Sequence, residues 1–126
     1  KALVFGSGDG SIWAFQPRTG ASIWKYDFSR RGLNVSPLVV GDHVYSSHSE
    51  ENIVGNTMGA IVAIDASGHG DVTHTHELWF NAEIMAGKSS PIHVDGRLYC
   101  FDDRGKLHVL DGATGERIGR KITGKA

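Results

Sequence analysis

Cysteine, proline and net charge are all scarce in this sequence: one cysteine, three prolines, and 13 basic against 14 acidic side chains for a formal charge of -1. Each scarcity excludes something. The lone Cys100 can form neither an intrachain disulfide nor a cysteine-only zinc cage, and it says little about redox compartment. The near-neutral balance, with its positive residues scattered, gives no electrostatic ground for a nucleic-acid partner or an anionic membrane surface. No apolar run is long enough to span a bilayer, and no helical periodicity recurs anywhere along the chain. Nothing resembles a signal peptide, since Lys1 opens directly onto the strand-like Ala2-Leu3-Val4-Phe5. The chain is therefore expected to be cut at both ends, with any targeting segment of its parent lost. With 40% hydrophobic and 21% charged residues it has the balance of one modest globular domain and not of a disordered segment.

Glycine, by contrast, is abundant, with 17 spread along the chain. Such spacing fits many short strands joined by tight turns. The organising stretch is Ala14-Phe15-Gln16-Pro17-Arg18-Thr19-Gly20-Ala21-Ser22-Ile23-Trp24. Ser11 to Phe15 is an apolar, aromatic-rich strand. Pro17 presets an early turn position, Gly20 supplies the positive-φ one, and Ser22 to Phe28 leaves as the partner strand. The arrangement returns at Gly105 to Ile118, where Asp111 replaces Gln16 and Thr114-Gly115 replaces Thr19-Gly20. It returns again at Gly59 to Asp65, followed by Ala66-Ser67-Gly68 and, after an insertion, His76-Glu77-Leu78-Trp79-Phe80.

The anchor glycines Gly10, Gly59 and Gly105 lie 49 and 46 residues apart. Allowing for two insertions, Ser47 to Met58 and His69 to Thr75, the period falls in the range of about 40 residues typical of four-stranded propeller blades. The predicted fold is all-β: three four-stranded antiparallel blades, about eleven strands, as a fragment of a seven- or eight-bladed β-propeller. Unit boundaries are expected at 1–29, 34–83 and 87–126, with the innermost strand missing from the first. Ile61 to Ile64 and Leu107 to Leu110 are nearly continuous apolar runs, which predicts burial on both faces.

The repeated residues resemble the tryptophan-docking motif of the pyrroloquinoline-quinone-like β-propellers, Ala-x-Asp-x-x-Thr-Gly and then, after three residues, Trp. This repeat builds the quinoprotein dehydrogenases and the propeller lipoprotein of the outer-membrane β-barrel assembly machinery. The first unit supplies Ala14, Thr19, Gly20 and Trp24, with Gln16 in place of Asp. The second supplies Ala63, Asp65, Gly68 and Trp79, and the third Asp111, Thr114 and Gly115, with Val109 and Gly119 where Ala and Trp are expected. Ser36-Pro37 and Ser90-Pro91 resemble the family's innermost-strand starts. The resemblance implies that each Trp lies on the turn of the neighbouring blade, while Asp and Thr tie that turn down by hydrogen bonds.

No catalytic residue is expected. Quinone-dependent enzymes of this resemblance use a carboxylate base, a calcium site of Glu and Asn and commonly a vicinal disulfide, which a single cysteine cannot make. Pyrroloquinoline quinone and calcium are thus alternatives to the expectation of no cofactor. Asp65 to Asp71 superficially follows a calcium loop, but His69 stands where an oxygen ligand belongs and His76 where the closing Glu should be. His69, His74, His76 and Asp71 are the candidates for a transition metal, set against the reading of a histidine-rich surface loop. His43, His93 and His108 are read as hydrogen-bonded side chains. Glu50-Glu51 as an acid pair is set against a solvated loop. The candidate binding loops carry His48, Glu50, Glu51, Asn52 and Asn56 in the first insertion and His69, Asp71 and His74 in the second.

The expected function is a non-catalytic repeat scaffold for protein or polymer binding, periplasmic or secreted in an exported bacterial protein. Its partners would be another protein or the remaining blades of the same propeller, with homo-oligomerisation expected of the isolated chain. The competing reading is a fragment of a quinoprotein dehydrogenase, or of a multidomain enzyme whose active site lies outside this segment.

Overall fold

The computed structural model describes residues 2–122. Lys1 and the last four residues of the expected third unit lie outside them. Every element is a strand: β1 (Leu3–Gly6), β2 (Ser11–Phe15), β3 (Ser22–Asp27), β4 (Leu38–Val40), β5 (His43–Glu51), β6 (Met58–Asp65), β7 (Gly70–Asp71), β8 (Glu77–Asn81), β9 (Ile92–Val94), β10 (Arg97–Phe101), β11 (Lys106–Asp111) and β12 (Arg117–Ile122). They form three four-stranded sheets in the orders β1-β2-β3-β7, β4-β5-β6-β8 and β9-β10-β11-β12. The chain is all-β and has the blade architecture of a β-propeller.

The same local chemistry recurs in each sheet. Gly10, Gly59 and Gly105 have φ near +88°, +85° and +87°, a region from which a side chain is largely barred. The first two also lie too close to neighbouring backbone for a Cβ. At Gly10 it would overlap the Ser29 carbonyl, and at Gly59 it would come within 2.8 Å of the Ile84 oxygen. At the first of these, the open end of the β2–β3 hairpin is drawn tight, since the Phe28 and Ser29 amides both donate to the Gly10 carbonyl, at 3.1 and 2.9 Å. The register slips at Ala14/Phe15, Ala63/Ile64 and Val109/Leu110, one bulge at the equivalent place in each sheet. Each bulge sets a chosen pair of residues opposite one another just before the turn.

Two cores lie between the three sheets. Ile12, Ala14, Trp24, Tyr26 and Phe28 meet Val44, Ala60, Val62 and Ile64 between the first and second sheets. Tyr45, Ile61, Ala63 and Trp79 meet Leu98, Cys100 and Leu110 between the second and third. β6 therefore has neighbours on both sides, and Ala60 to Ile64 are all fully buried, as its unbroken apolar run predicts. β11 departs from that expectation. His108 and Leu110 are buried while Leu107 and Val109 are only half-buried, because among the described residues the third sheet has a neighbour on one side alone.

Two further expectations change in detail. Ser47 to Glu51, read as part of an inserted loop, continue β5 as strand, so the loop proper is 52–57. Ser47 and His48 are buried, and the Ser47 hydroxyl is satisfied by donating to the Ala86 carbonyl at 2.7 Å. The twelfth strand, one more than expected, comes from the second insertion. β7 leaves the second unit, crosses to the first sheet and pairs in parallel with β3 through Trp24 opposite Gly70 and Lys25 opposite Asp71. The other described pairings are antiparallel.

Candidate functional site

The motif residues sit at the seams between sheets. Trp24 opposes Ala14, and Trp79 opposes Ala63, across the strand pair that the bulge interrupts. A small residue beside each indole leaves room for the ring to lie over the next sheet. The Trp24 Nε1–H donates to the Ala66 carbonyl at 3.2 Å, and the Trp79 Nε1–H to the Gly112 carbonyl at 2.9 Å. Both acceptors lie in the turn of the following sheet. The Trp79 ring also rests on Gly115, which has φ +75° and where any Cβ would overlap the indole. In the third sheet the same cross-strand pair is Val109 with Gly119, so the larger residue has changed strands. In the turns, Asp65 Oδ1 accepts the Ser67 amide at 2.9 Å and Asp111 Oδ1 the Ala113 amide at 2.8 Å. Thr19 and Thr114 accept the Ala21 and Glu116 amides at 3.1 and 3.2 Å. These bonds hold the Asp65 carboxyl below its usual range. Gly20 takes φ +73° in its turn, and Gly68 lies against the His76 ring.

The two insertions are built differently from each other. The loop 52–57 hangs on Asn52, which is buried and donates from Nδ2 to the Thr57 hydroxyl at 2.9 Å and the Gly59 carbonyl at 3.0 Å. Arg30 clamps it from outside, donating from Nε to the Asn52 carbonyl at 2.9 Å and from Nη2 to the Ile53 carbonyl at 3.0 Å. Asn56 is exposed at its tip. Glu51 pairs with Arg31 at 3.4 Å and Glu50 is half-buried beside it, and both line, with Arg30, Arg31, Asn52 and Asn56, a polar recess of about 350 Å³. In the second insertion Val72 is fully buried in the first core and the Thr73 hydroxyl accepts the Asp27 amide at 2.9 Å. Asp71 accepts both the amide and the hydroxyl of Thr73 at 3.0 and 2.6 Å, which lowers its pKa. His69 and His74 are exposed, and His76 contacts the Thr75 hydroxyl through Nδ1 at 2.7 Å. Among the described residues no group of three or more His, Cys, Asp or Glu side chains could hold a metal ion.

Elsewhere, His43 Nδ1 contacts the Tyr45 hydroxyl at 3.3 Å, His93 stacks on Tyr45, and His108 Nε2 bonds Asp102 at 2.8 Å. His48 faces the first core with its ring edge-on to Phe28, centroids 4.4 Å apart. Its Nδ1 accepts the Glu50 amide at 3.0 Å, while Nε2 is buried without a hydrogen-bond partner. Burial lowers its pKa, against smaller opposing contributions from Asn52 and Glu50.

Both insertions border one groove of about 370 Å³ between the outer strands of the first and second sheets. One wall is the end of β3 and Phe28, the other is Glu77 and Phe80 of β8, with Thr73-His74 and Ile53-Val54 also lining it. The Tyr26 hydroxyl donates to Glu77 across it, and burial first, then that bond, raises the tyrosine pKa. Val54 is 80% exposed, Ile53 41% and Phe80 39%. Of the polar candidates in the first insertion Asn52 lines the groove, and beside it the Ile53-Val54 pair, an apolar step in an otherwise polar loop, reaches it as well. That pair was a legible signal, whereas the part of Arg30 was not.

A family model described as outer membrane protein assembly factor BamB matches residues 1–125. No curated protein sequence is significantly similar. Among solved structures, BamB from Moraxella catarrhalis is 22% identical with a TM-score of 0.69, covering 100% of this chain and 35% of that one. The quinohemoprotein alcohol dehydrogenase ADHIIG from Pseudomonas putida HK5 is 16% identical with a TM-score of 0.69, covering 97% of this chain and 25% of that one. A europium-containing methanol dehydrogenase is 15% identical with a TM-score of 0.61, over 94% and 22%. The chain thus spans about a third or less of each of these structures. With its three sheets, repeated bulges and indole-to-turn bonds, the chain belongs to the PQQ-like β-propeller repeat family, the family of the assembly factor BamB.

Proposed function

We propose that this protein is a non-catalytic propeller scaffold that binds another protein and acts outside the cytoplasm of a bacterium. The observation that carries this reading is the clamped 52–57 loop, which holds Ile53 and Val54 out toward solvent beside Phe80. Rigid apolar side chains at a polar rim are a feature of protein-contact surfaces. Family membership supports it, since the matching model is described as an assembly factor. On this reading the docking residues keep the sheets in register, and the two insertions are where the contact surface is elaborated. The remaining sheets of a larger ring would lie against the outer faces of the first and third sheets, and the first unit's innermost strand would come from elsewhere in that ring.

The test is made on the full-length protein isolated from its native host. Cross-linking and mass spectrometry should recover a stoichiometric protein partner, and the purified protein should lack quinone absorbance and bound calcium. Stoichiometric quinone with calcium would instead place the chain within an oxidoreductase and overturn the scaffold reading.

A further inference from the structure

We infer that the groove between β3 and β8 anchors an extended basic segment of a partner protein, taking one aromatic or branched apolar side chain with lysine or arginine beside it. This deepens the scaffold reading and rests on it. Three observations converge here. First, the groove's volume of about 370 Å³ lies within the range of formed binding pockets, and its apolar wall of Phe28, Phe80, Ile53 and Val54 suits one large side chain. Val54 is held out on a loop that Arg30 fixes by two bonds to its backbone, so little ordering cost remains to be met on binding.

Second, the charge lining the groove has one sign. Asp27 and Glu77 line it and no Lys or Arg does. Asp27 is paired with Lys25 at 3.0 Å, but Glu77 accepts only from the neutral Tyr26 hydroxyl among its described partners, so its charge stays uncompensated. Glu77 is exposed, and a cation reaching over the apolar wall would pair with it. Third, the side of β3 away from its sheet is covered by β7, while β8 is the outermost strand of its own sheet. The groove is open on that side, where an extended segment can lie.

The probe is a fluorescein-labelled peptide, Gly-Ser-Lys-Trp-Lys-Ser-Gly, titrated into the protein and followed by anisotropy, with amide shifts mapped by NMR. The expected result is saturable binding with shifts confined to residues around Phe28, Val54 and Glu77. Val54→Asp should weaken it by at least about tenfold and Glu77→Gln by about threefold. Peptides with Ala for Trp, or Glu for both Lys, should lose binding. Absence of binding, equal binding by the glutamate peptide, or affinity unchanged in Val54→Asp would overturn the proposal. Shifts on another surface would overturn the groove and leave the scaffold reading standing. Quinone in the native protein would overturn the scaffold reading whatever the peptide does.

Discussion

At the residue scale the Gly112 carbonyl is the busiest acceptor at the second seam, taking the Trp79 indole N–H at 2.9 Å and the Tyr45 hydroxyl at 3.1 Å. Losing one donor leaves the other in place. Tyr45→Phe should therefore cost only about 1 kcal/mol, whereas Trp79→Ala, which also empties the space over Gly115, should cost about 3–5 kcal/mol; chemical denaturation measures both. His48 gives a pH dependence with a definite sign. Its folded pKa lies below the unfolded value, so the unfolded chain binds more protons as the medium acidifies. Its contribution is complete above about pH 6.5, the ordinary histidine value, and is lost as pH falls toward the folded pKa. The Asn52 side chain, the Glu50 charge and the Phe28 backbone across the seam oppose this more weakly than burial drives it. His48→Gln should flatten the stability profile between pH 7 and 5. Cys100 is fully buried, and burial, reinforced by Asp102 and Asp103, pushes its thiol up to about 12. It should react with a thiol reagent only when the seam between the second and third sheets opens. Not all of this was legible beforehand. Ser47 and His48 look like loop residues because polar side chains rarely fill a core, and only the Ala86 carbonyl and the Glu50 amide, distant or backbone groups, make their burial tolerable.

At the scale of elements, the strand pairs and turns were readable because each carries its own punctuation: an anchor glycine, an Asp or Thr that binds the turn and, in the first two sheets, a tryptophan across from alanine. The exchange of Ala and Trp for Val109 and Gly119 shows the same rule from the other side. A cross-strand pair must share a fixed space, so when one member shrinks the other can grow. β7 was unreadable for the opposite reason. Two residues in parallel pairing carry no periodicity, and the strand they pair with, β3, is separated from them in the chain by three other strands. Because Val72 is buried in the first core, Val72→Ala should destabilise the protein by about 1–3 kcal/mol, while His69→Ala, at an exposed position three residues earlier on the other side of β7, should change stability by less than about 0.5 kcal/mol. Thermal or denaturant unfolding of the two variants side by side makes the comparison. Equal effects would mean that the insertion does not hold the edge of the first sheet.

At the scale of the whole molecule, three sheets in a row have two cores and two outer faces. Leu3 and Phe5 on the first sheet, and Ile92, Val94 and Phe101 on the third, are exposed, and Phe5, Phe15 and Trp13 stack on one another there. Such faces favour association. The free 126-residue chain should run above its 13.6 kDa mass in light scattering, and Phe5→Glu with Phe101→Glu should shift it toward monomer. A monodisperse monomer of the unmodified chain would contradict this. The parallel β7 also changes how the molecule comes apart. A row of repeats is ordinarily a chain of independent links, each failing where its own interface is weakest. Here a segment that follows β6 in sequence lies outside β3 and puts Val72 between the sheets, so the first sheet is stitched to the second by covalent chain as well as by packing. Loosening the first pair requires withdrawing that stitch, whereas the third sheet is joined at a plain seam. Under native conditions hydrogen exchange should thus proceed in two steps, the third sheet opening first and the first two melting together as one cooperative block.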